Sequence, residues 1–393
     1  MINEATRRFV HEHADDDVRQ LALRASKDAE VDLTVALQQI QGRQMAVDKL
    51  PTWAAVDGII YPPHLSMEQC SSETTARYKA SVATMLSEQR QKLVDLTGGF
   101  GVDFYWMAQA FQTAVYVEQQ PMLMDIAAAN FTTLGLKAET VRDDAANFLH
   151  RMEHASLIFL DPARRDNHGA RTYGIADCSP NVLTMVDELM EKADFVMLKL
   201  SPMLDWRKAV ADIGPQRVSQ VHIVAVKNEC KELLLVLSCK PLVQRQVICV
   251  NGESIDTFPL DDDSPQAATW QGPLAGAWLY EPHAALMKAG FFSRLAERHH
   301  VSPLARNSHL FVADHYVEHF PGRSFRIVDC SSMNKRELSQ KIIPLRQANI
   351  SVRNFPMTVA ALRQRLKLSE GGSNYVFATT LASGEKVLLV TTR

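Results

Sequence analysis

The six cysteines of this 393-residue chain (Cys70, Cys178, Cys230, Cys239, Cys249 and Cys330) form no C-x-x-C pair. They stand far apart or inside strand-like runs and no signal peptide is evident, so reduced thiols and a cytoplasmic location are expected. The histidines keep no ligand spacing with cysteine or acid, and no metal is expected. No uncharged apolar run approaches the roughly 20 residues needed to cross a bilayer, so no membrane partner is expected. Internal repeats and low-complexity tracts are lacking, and so is an excess of positive charge: the formal net charge is −3. A global pull on nucleic acid is thereby excluded, and any such binding must come from a local patch. What the chain does have is 46% hydrophobic residues, enough for a sizeable core, and a length that suggests two or three domains.

Residues 1–88 read as mostly helical. In "VDLTVALQQIQGRQMAVDKL", Val31, Val35, Leu37, Ile40, Met45 and Val47 recur near helical spacing, and Pro51 stops the run. "YPPHLS" reads as a loop, and "SSETTARYKASVATML" as a second helix with serine at its N-cap. From Lys92 the rhythm changes to strands at 93–96, 114–118, 139–142, 156–160, 195–200, 221–227 and 232–239. Most are followed by helical patterns, which predicts a parallel sheet with right-handed crossovers. "VHIVAVKNECKELLLVLS" allows only Asn228–Lys231 between two β runs, so the last strand must be antiparallel. Residues 241–320 start with a hairpin around Asn251-Gly252 and the Asp261-Asp262-Asp263 run, read as a solvated loop. They continue into "EPHAALMKAGFFSRLAERHH", read as one amphipathic helix. Residues 321–393 read as a small α+β part.

The stretch with most chemical content is "LVDLTGGFGVDFYWMAQAF", a strand, three glycines and a helix. A triphosphate loop would need Lys-Ser or Lys-Thr after the glycines, and none follows. A dinucleotide fingerprint needs a third glycine at position 104, which is phenylalanine. S-adenosylmethionine fits better: Asp95, Gly99 and Gly101 give D-x-x-x-G-x-G, a turn whose missing Cβ atoms would let it lie against a ligand. Glu118 ends the next strand, where a carboxylate can accept from ribose hydroxyls. Asp144, in preference to Asp143, follows the third strand, where it could accept from an adenine amino group.

"LVDLTGGFGVD", "VYVEQQP" with "AAANFTTLGL", "LIFLDPARRD" and "LKLSPMLD" resemble the sequential motifs of class I S-adenosylmethionine-dependent methyltransferases, whose sheet ends in just such a hairpin. Nearly the whole chain is similar to a bacterial family of RNA methyltransferases with a C-terminal THUMP-like domain. "EQCSSETTARYKA", "DCSPN" and "LSEGGSNYVFATT" resemble that family's signatures. The resemblance implies an α/β fold: an N-terminal helical region (1–88), a Rossmann-like methyltransferase domain (89–240), a ferredoxin-like connecting region (241–320) and a THUMP-like domain (321–393). It implies S-adenosyl-L-methionine as cofactor, with Asp95, Thr97, Gly98, Gly99 and Gly101 in the first donor motif. Glu118 would be the ribose acid, and Asp144 with Ala145 would lie at the adenine.

Asp161-Pro162-Ala163-Arg164 ends the fourth strand and resembles the D/N-P-P-Y/F/W motif of amino methyltransferases. Asp161 and Pro162 keep the acceptors that would orient an amine. Ala163 and Arg164 depart from the pattern, although an arginine plane can also stack on a base or clamp a phosphate; Arg164 and Arg165 could equally form surface ion pairs. Carbon methylation would instead need a thiolate, for which Cys178 is the cysteine expected near the site. Tyr173, Asn181 and Lys199 are expected at the rim.

Between Pro321 and Glu370 lie Arg323, Arg326, Lys335, Arg336, Lys341, Arg346, Arg353, Arg363, Arg365 and Lys367. Asp329, Glu337 and Glu370 are the acids of that stretch. It is the candidate surface for RNA, since THUMP domains present RNA to attached enzymes. The alternatives are a non-catalytic donor- or RNA-binding protein with the same fold, and a methyltransferase acting on protein or a small molecule.

Overall fold

The computed structural model describes residues 2–24, 30–86, 88–164, 174–238, 244–262 and 264–393. The chain divides into two compact units, Met1–Val221 with Lys231–Gln244, and His222–Cys230 with Arg245–Arg393.

The first unit carries β1 (Lys92–Asp95), β2 (Thr113–Val117), β3 (Glu139–Val141), β4 (Ala155–Leu160), β5 (Ala163–Arg164), β6 (Cys178–Ser179), β7 (Ala193–Leu200), the start of β8 (Val218–Val226) and most of β9 (Glu229–Ser238). Its main sheet runs β8-β9-β7-β4-β1-β2-β3. The pairs from β3 to β7 are parallel, whereas β7 and β9 are antiparallel. All six residues of β4 are buried, as a strand covered by helices on both faces requires. The methyltransferase-type sheet closed by a hairpin is therefore present. Its turn is tighter than the sequence reading: β8 runs to Val226 and β9 starts at Glu229. Lys227 and Asn228 between them both have positive φ, the geometry of a two-residue turn matched to strand twist. The tip of this hairpin, 222–230, counts with the second unit.

N-terminal helices pack on the turn after β1 within the same unit. Leu33–Lys49 is capped by the Asp32 side chain, and Glu73–Leu86 follows Ser72, whose hydroxyl accepts from the Thr75 N–H. Ala46, Leu50, Trp53, Tyr61, Met67 and Ala76 share one apolar cluster with Phe100 and Val102. "YPPHLS" is only partly a loop, because the helix His64–Gln69 starts inside it.

The second unit holds the hairpin of β10 (Gln246–Asn251) and β11 (Ser254–Pro259), turning at Gly252. It also holds β12 (Trp278–Pro282), β13 (Ser302–Pro303), β14 (Phe311–Ala313), β15 (Gly322–Ser332), β16 (Asn349–Val352), β17 (Asn374–Thr380) and β18 (Lys386–Thr392). The last seven form one sheet, ordered β13-β14-β12-β15-β18-β17-β16. Alternation in β17 and β18 feeds two cores: Phe377 and Leu389 join one apolar cluster, Val376 and Leu388 the other, the period-2 pattern of a strand. The single helix expected over 281–300 is two, Ala284–Ala289 and Phe292–His299, because Gly290 at φ +79° ends the first. Of the acidic run, Asp261 pairs with Arg245 and Asp262 with Arg294, so neither is simply solvated; Asp263 lies outside the described residues.

Candidate active site

The parallel strands β1, β2, β4 and β7 end on one side of a cleft of about 670 Å³ in the first unit. Asp95, at the end of β1, is 1% exposed, and its Oδ1 accepts from the Thr97 N–H at 2.9 Å. Burial, and then the nearby carboxylates of Asp103, Asp161 and Glu118, push its carboxyl well above the usual range. Thr97 ties two strands together: its hydroxyl oxygen also accepts from the Asp161 N–H at 2.6 Å.

The glycines do different work from one another. Gly99 has φ +56°, and a Cβ there would meet nothing closer than the Thr97 carbonyl at 3.9 Å. Its N–H donates to Glu118 Oε2 at 2.8 Å. A Cβ on Gly98 would lie 2.1 Å from the Tyr116 ring, and one on Gly101 2.6 Å from Phe131. The absent Cβ atoms at 98 and 101 thus admit the protein's own aromatic rings. Phe104, where a dinucleotide fold would carry its third glycine, packs between Tyr116 and Phe131 at 5.5 and 5.2 Å.

Glu118 Oε1 accepts from the Gln120 N–H at 2.7 Å. Both its oxygens are therefore anchored by backbone, while each keeps a lone pair for a hydroxyl donor. Asp144 caps the helix Ala145–Arg151 through Oδ1, and Ala145 is buried beside it. Asp143 is tied to Arg151 at 2.6 Å. Asp143, Asp144 and Ala145 all line the cleft.

Asp161 and Pro162 line the cleft at the end of β4. Asp161 Oδ2 lies 2.5 Å from Lys199 Nζ at the end of β7. Burial opposes a charge on Lys199, but Asp161, Asp103 and Glu232 outweigh it and hold the ammonium above the usual lysine range. Asp103 faces Lys199 at 3.7 Å and the fully buried Lys79 at 3.2 Å, and Lys79 meets both Glu232 oxygens at 2.6 Å. Burial raises the Asp103 carboxyl, yet the two lysines hold it below its ordinary range.

β5 and β6 bring two distant motifs together, pairing Ala163 with Ser179 and Arg164 with Cys178. The Arg164 side chain, Arg165 and Tyr173 lie outside the described residues. Cys178 is buried and lines the cleft, but it is not the one cysteine there, because Cys70 lines it too. Burial pushes the Cys70 thiol up to about 11, so it is not a thiolate near neutrality. Asn181, expected at the rim, caps the helix Val182–Lys192.

The sequence reading missed the N-terminal wall of the cleft, Ser66, Gln69, Cys70 and Ser71. The available signal was "EQCSSETTARYKA", which starts at Glu68 and leads into the helix carrying Lys79.

In the second unit the positive stretch is partly neutralised from outside its own window. Glu281, 2% exposed, binds both Arg323 and Arg353. Lys341 pairs with Asp329, Arg363 donates to the Ala348 carbonyl, and Arg326 lies over the Trp278 ring. Lys335, Arg336, Arg346, Arg365 and Lys367 are exposed and form no ion pair among the described residues.

The chain is 30% identical to a protein from Porphyromonas gingivalis whose crystal structure is assigned as a methyltransferase; the match covers 100% of both chains with a TM-score of 0.88. The chain belongs to the class I S-adenosylmethionine-dependent methyltransferase family that carries a C-terminal THUMP-like domain. Residues 322–393 of this methyltransferase match the model of a THUMP-like domain, and 278–321 that of a ferredoxin-like domain. It is also 24% identical, over 82% of its length and 88% of theirs, to uncharacterized S-adenosylmethionine-dependent methyltransferases from two strains of Mycobacterium tuberculosis. No helix among the described residues is long and apolar enough to cross a membrane.

Proposed function

We propose that this methyltransferase binds S-adenosyl-L-methionine in the first-unit cleft and methylates a nitrogen of an RNA nucleobase held by its C-terminal part. The chemistry of the cleft fits this cofactor. Asp95 is a buried carboxyl that forms no ion pair among the described residues, which suits a ligand bringing positive charge. Glu118 keeps acceptor capacity for ribose hydroxyls, and Gly99 leaves open space beside its backbone. Asp95, Thr97, Gly98, Gly99, Gly101 and Glu118 would hold the donor's amino-acid and ribose portions, with Asp144 and Ala145 at the base. When bound, the cofactor supplies a sulfonium methyl, and the bonding pair stays on sulfur as an acceptor's lone pair takes the carbon.

The observation carrying the reading is Asp161 in the lining of the cleft, with its backbone N–H fixed by Thr97 and one carboxylate oxygen held by Lys199. Such an acid can accept an N–H from an amine, align its lone pair and take up the surplus proton. Thiolate attack by Cys70 has less support, because burial pushes its thiol away from ionisation. For the polymer, support comes from the THUMP-like match and five exposed cations in that segment.

The test is transfer of labelled methyl to total RNA from a strain lacking the gene. Asp161→Ala should cut transfer by about a hundredfold or more, the scale of one missing transition-state hydrogen bond, with donor affinity by calorimetry little changed. An Asp161 variant with full turnover would refute the assignment. If Cys178→Ala alone abolished turnover, the acceptor would be carbon.

A further inference from the structure

We infer that Lys199 is a positioning residue for methyl transfer, holding one oxygen of Asp161 so that the other serves as a single, directed acceptor in the cleft. The inference rests on the reading of Asp161 given above. β4 and β7 are parallel neighbours, with Leu160 opposite Leu198 in register. Asp161 and Lys199 therefore follow side by side, just past the last paired residues. Nζ and Oδ2 are 2.5 Å apart, and the lysine side chain is 12% exposed against 37% for the acid. Both residues line the cleft, the cation as the more buried member and the carboxylate as the more open one.

Lys199 is itself held from behind. Asp103 Oδ2 lies 3.7 Å from its Nζ and accepts from the Ser71 hydroxyl at 2.7 Å. Asp103 Oδ1 faces Lys79, which is clamped to Glu232. An exposed ion pair would trade partners with water, whereas this row of alternating charges has few alternatives. With its backbone fixed from β1 and its carboxylate from β7, Asp161 is restrained at both ends. Without the ammonium its carboxylate would lie beside the buried Asp95 carboxyl with no cation to hold it and would turn away. Lys199 thereby fixes direction without needing to touch the donor.

The experiment uses the full chain, labelled S-adenosylmethionine, and three acceptor pools from a strain lacking the gene: total RNA, soluble protein and small-molecule extract. The pool labelled by the wild type tests the proposed function; the variants test the inference on whichever pool that is. Lys199→Gln should lower kcat by about a hundredfold, as misplacement of an aligning group does, with calorimetric donor affinity changed by less than about threefold. Lys199→Arg should restore most of the rate, because a guanidinium can also hold a carboxylate. Lys199→Gln combined with Asp161→Asn should be no slower than Asp161→Asn alone. In donor-free protein, adding Asp161→Asn to Lys199→Gln should raise Tm, since it removes the carboxylate left without its cation. Independent rate losses, no rescue by arginine, or a large loss of donor affinity in Lys199→Gln would overturn the inference, the last by placing Lys199 against the donor. If the wild type labels no pool, both the methyl-transfer reading and this inference fail. Labelling of protein in place of RNA refutes only the acceptor.

Discussion

At the scale of single residues, Asp95 is a buried carboxyl whose setting disfavours its charge. Its carboxyl is buried with one backbone partner and three carboxylates nearby, so its folded-state value lies above the ordinary one. A raised acid takes a proton in the folded protein that the unfolded chain has released. Its contribution is present below the unfolded value and is lost as pH rises towards the folded one. Asp95→Asn keeps an oxygen for the Thr97 N–H and removes that loss. The donor-free variant should therefore melt above the wild type at neutral pH. Below about pH 4, near the unmodified carboxyl value, the two melting curves should converge. S-adenosylmethionine should bind the variant more weakly. If the wild type is the more stable at neutral pH, the burial account of Asp95 fails.

At the scale of elements, the turn after β1 is set by rings from the neighbouring strand and helix as much as by glycine's backbone freedom. Tyr116 is fully buried, and its hydroxyl donates to the Gly99 carbonyl at 2.5 Å, so the ring has little room to retreat. Gly98→Ala would put a Cβ 2.1 Å from that ring and should cost about 1–3 kcal/mol in urea unfolding, the scale of overpacking. Gly101→Ala meets Phe131 and also carries φ +86°, so it should cost at least as much. Gly99→Ala meets no ring and should lose only about 1–2 kcal/mol of left-handed strain. A larger loss for Gly99→Ala than for Gly98→Ala would mean that Tyr116 can move. The hairpin β8–β9 and the split at Gly290 teach the same lesson: positive-φ residues set where elements turn and stop.

For the whole molecule, the matched ferredoxin-like and THUMP-like segments contribute strands to one sheet, since β12 pairs with β15 in continuous register. Truncation at residue 321 would remove β15 and expose β12, so charge substitutions are the cleaner probe of RNA binding. Arg346 and Lys367 lie on adjoining segments, joined where Ser369 donates to the Arg346 carbonyl, and Arg365 ends the neighbouring helix Val359–Leu366. Replacing Arg346, Arg365 and Lys367 together by glutamate should weaken binding of single-stranded RNA. The log–log salt slope should shrink by about 0.7 for each phosphate that is no longer neutralised, with donor affinity unchanged. RNA binding of wild-type strength and salt dependence would remove this segment from the RNA-binding reading.

The sequence by itself determined what depends on neighbours along the chain. The alternating strands and helices, the serine before Glu73, the hairpin after β8 and the glycine turn after Asp95 could all be read from period, capping and turn chemistry. Tertiary structure alone decided which side chains meet. Ser71 reaches Asp103 across 32 residues and Lys79 reaches Glu232 across 153, while Glu281 takes up Arg323 and Arg353 from outside the window in which their charge was counted. Periodicity fixes the face on which a residue lies. It does not say which charge will be buried opposite, because that depends on how helices and strands pack once distant stretches of chain have come together. For the same reason the wall formed by Ser66, Gln69, Cys70 and Ser71 became visible only when the N-terminal helices were seen packed on the turn after β1.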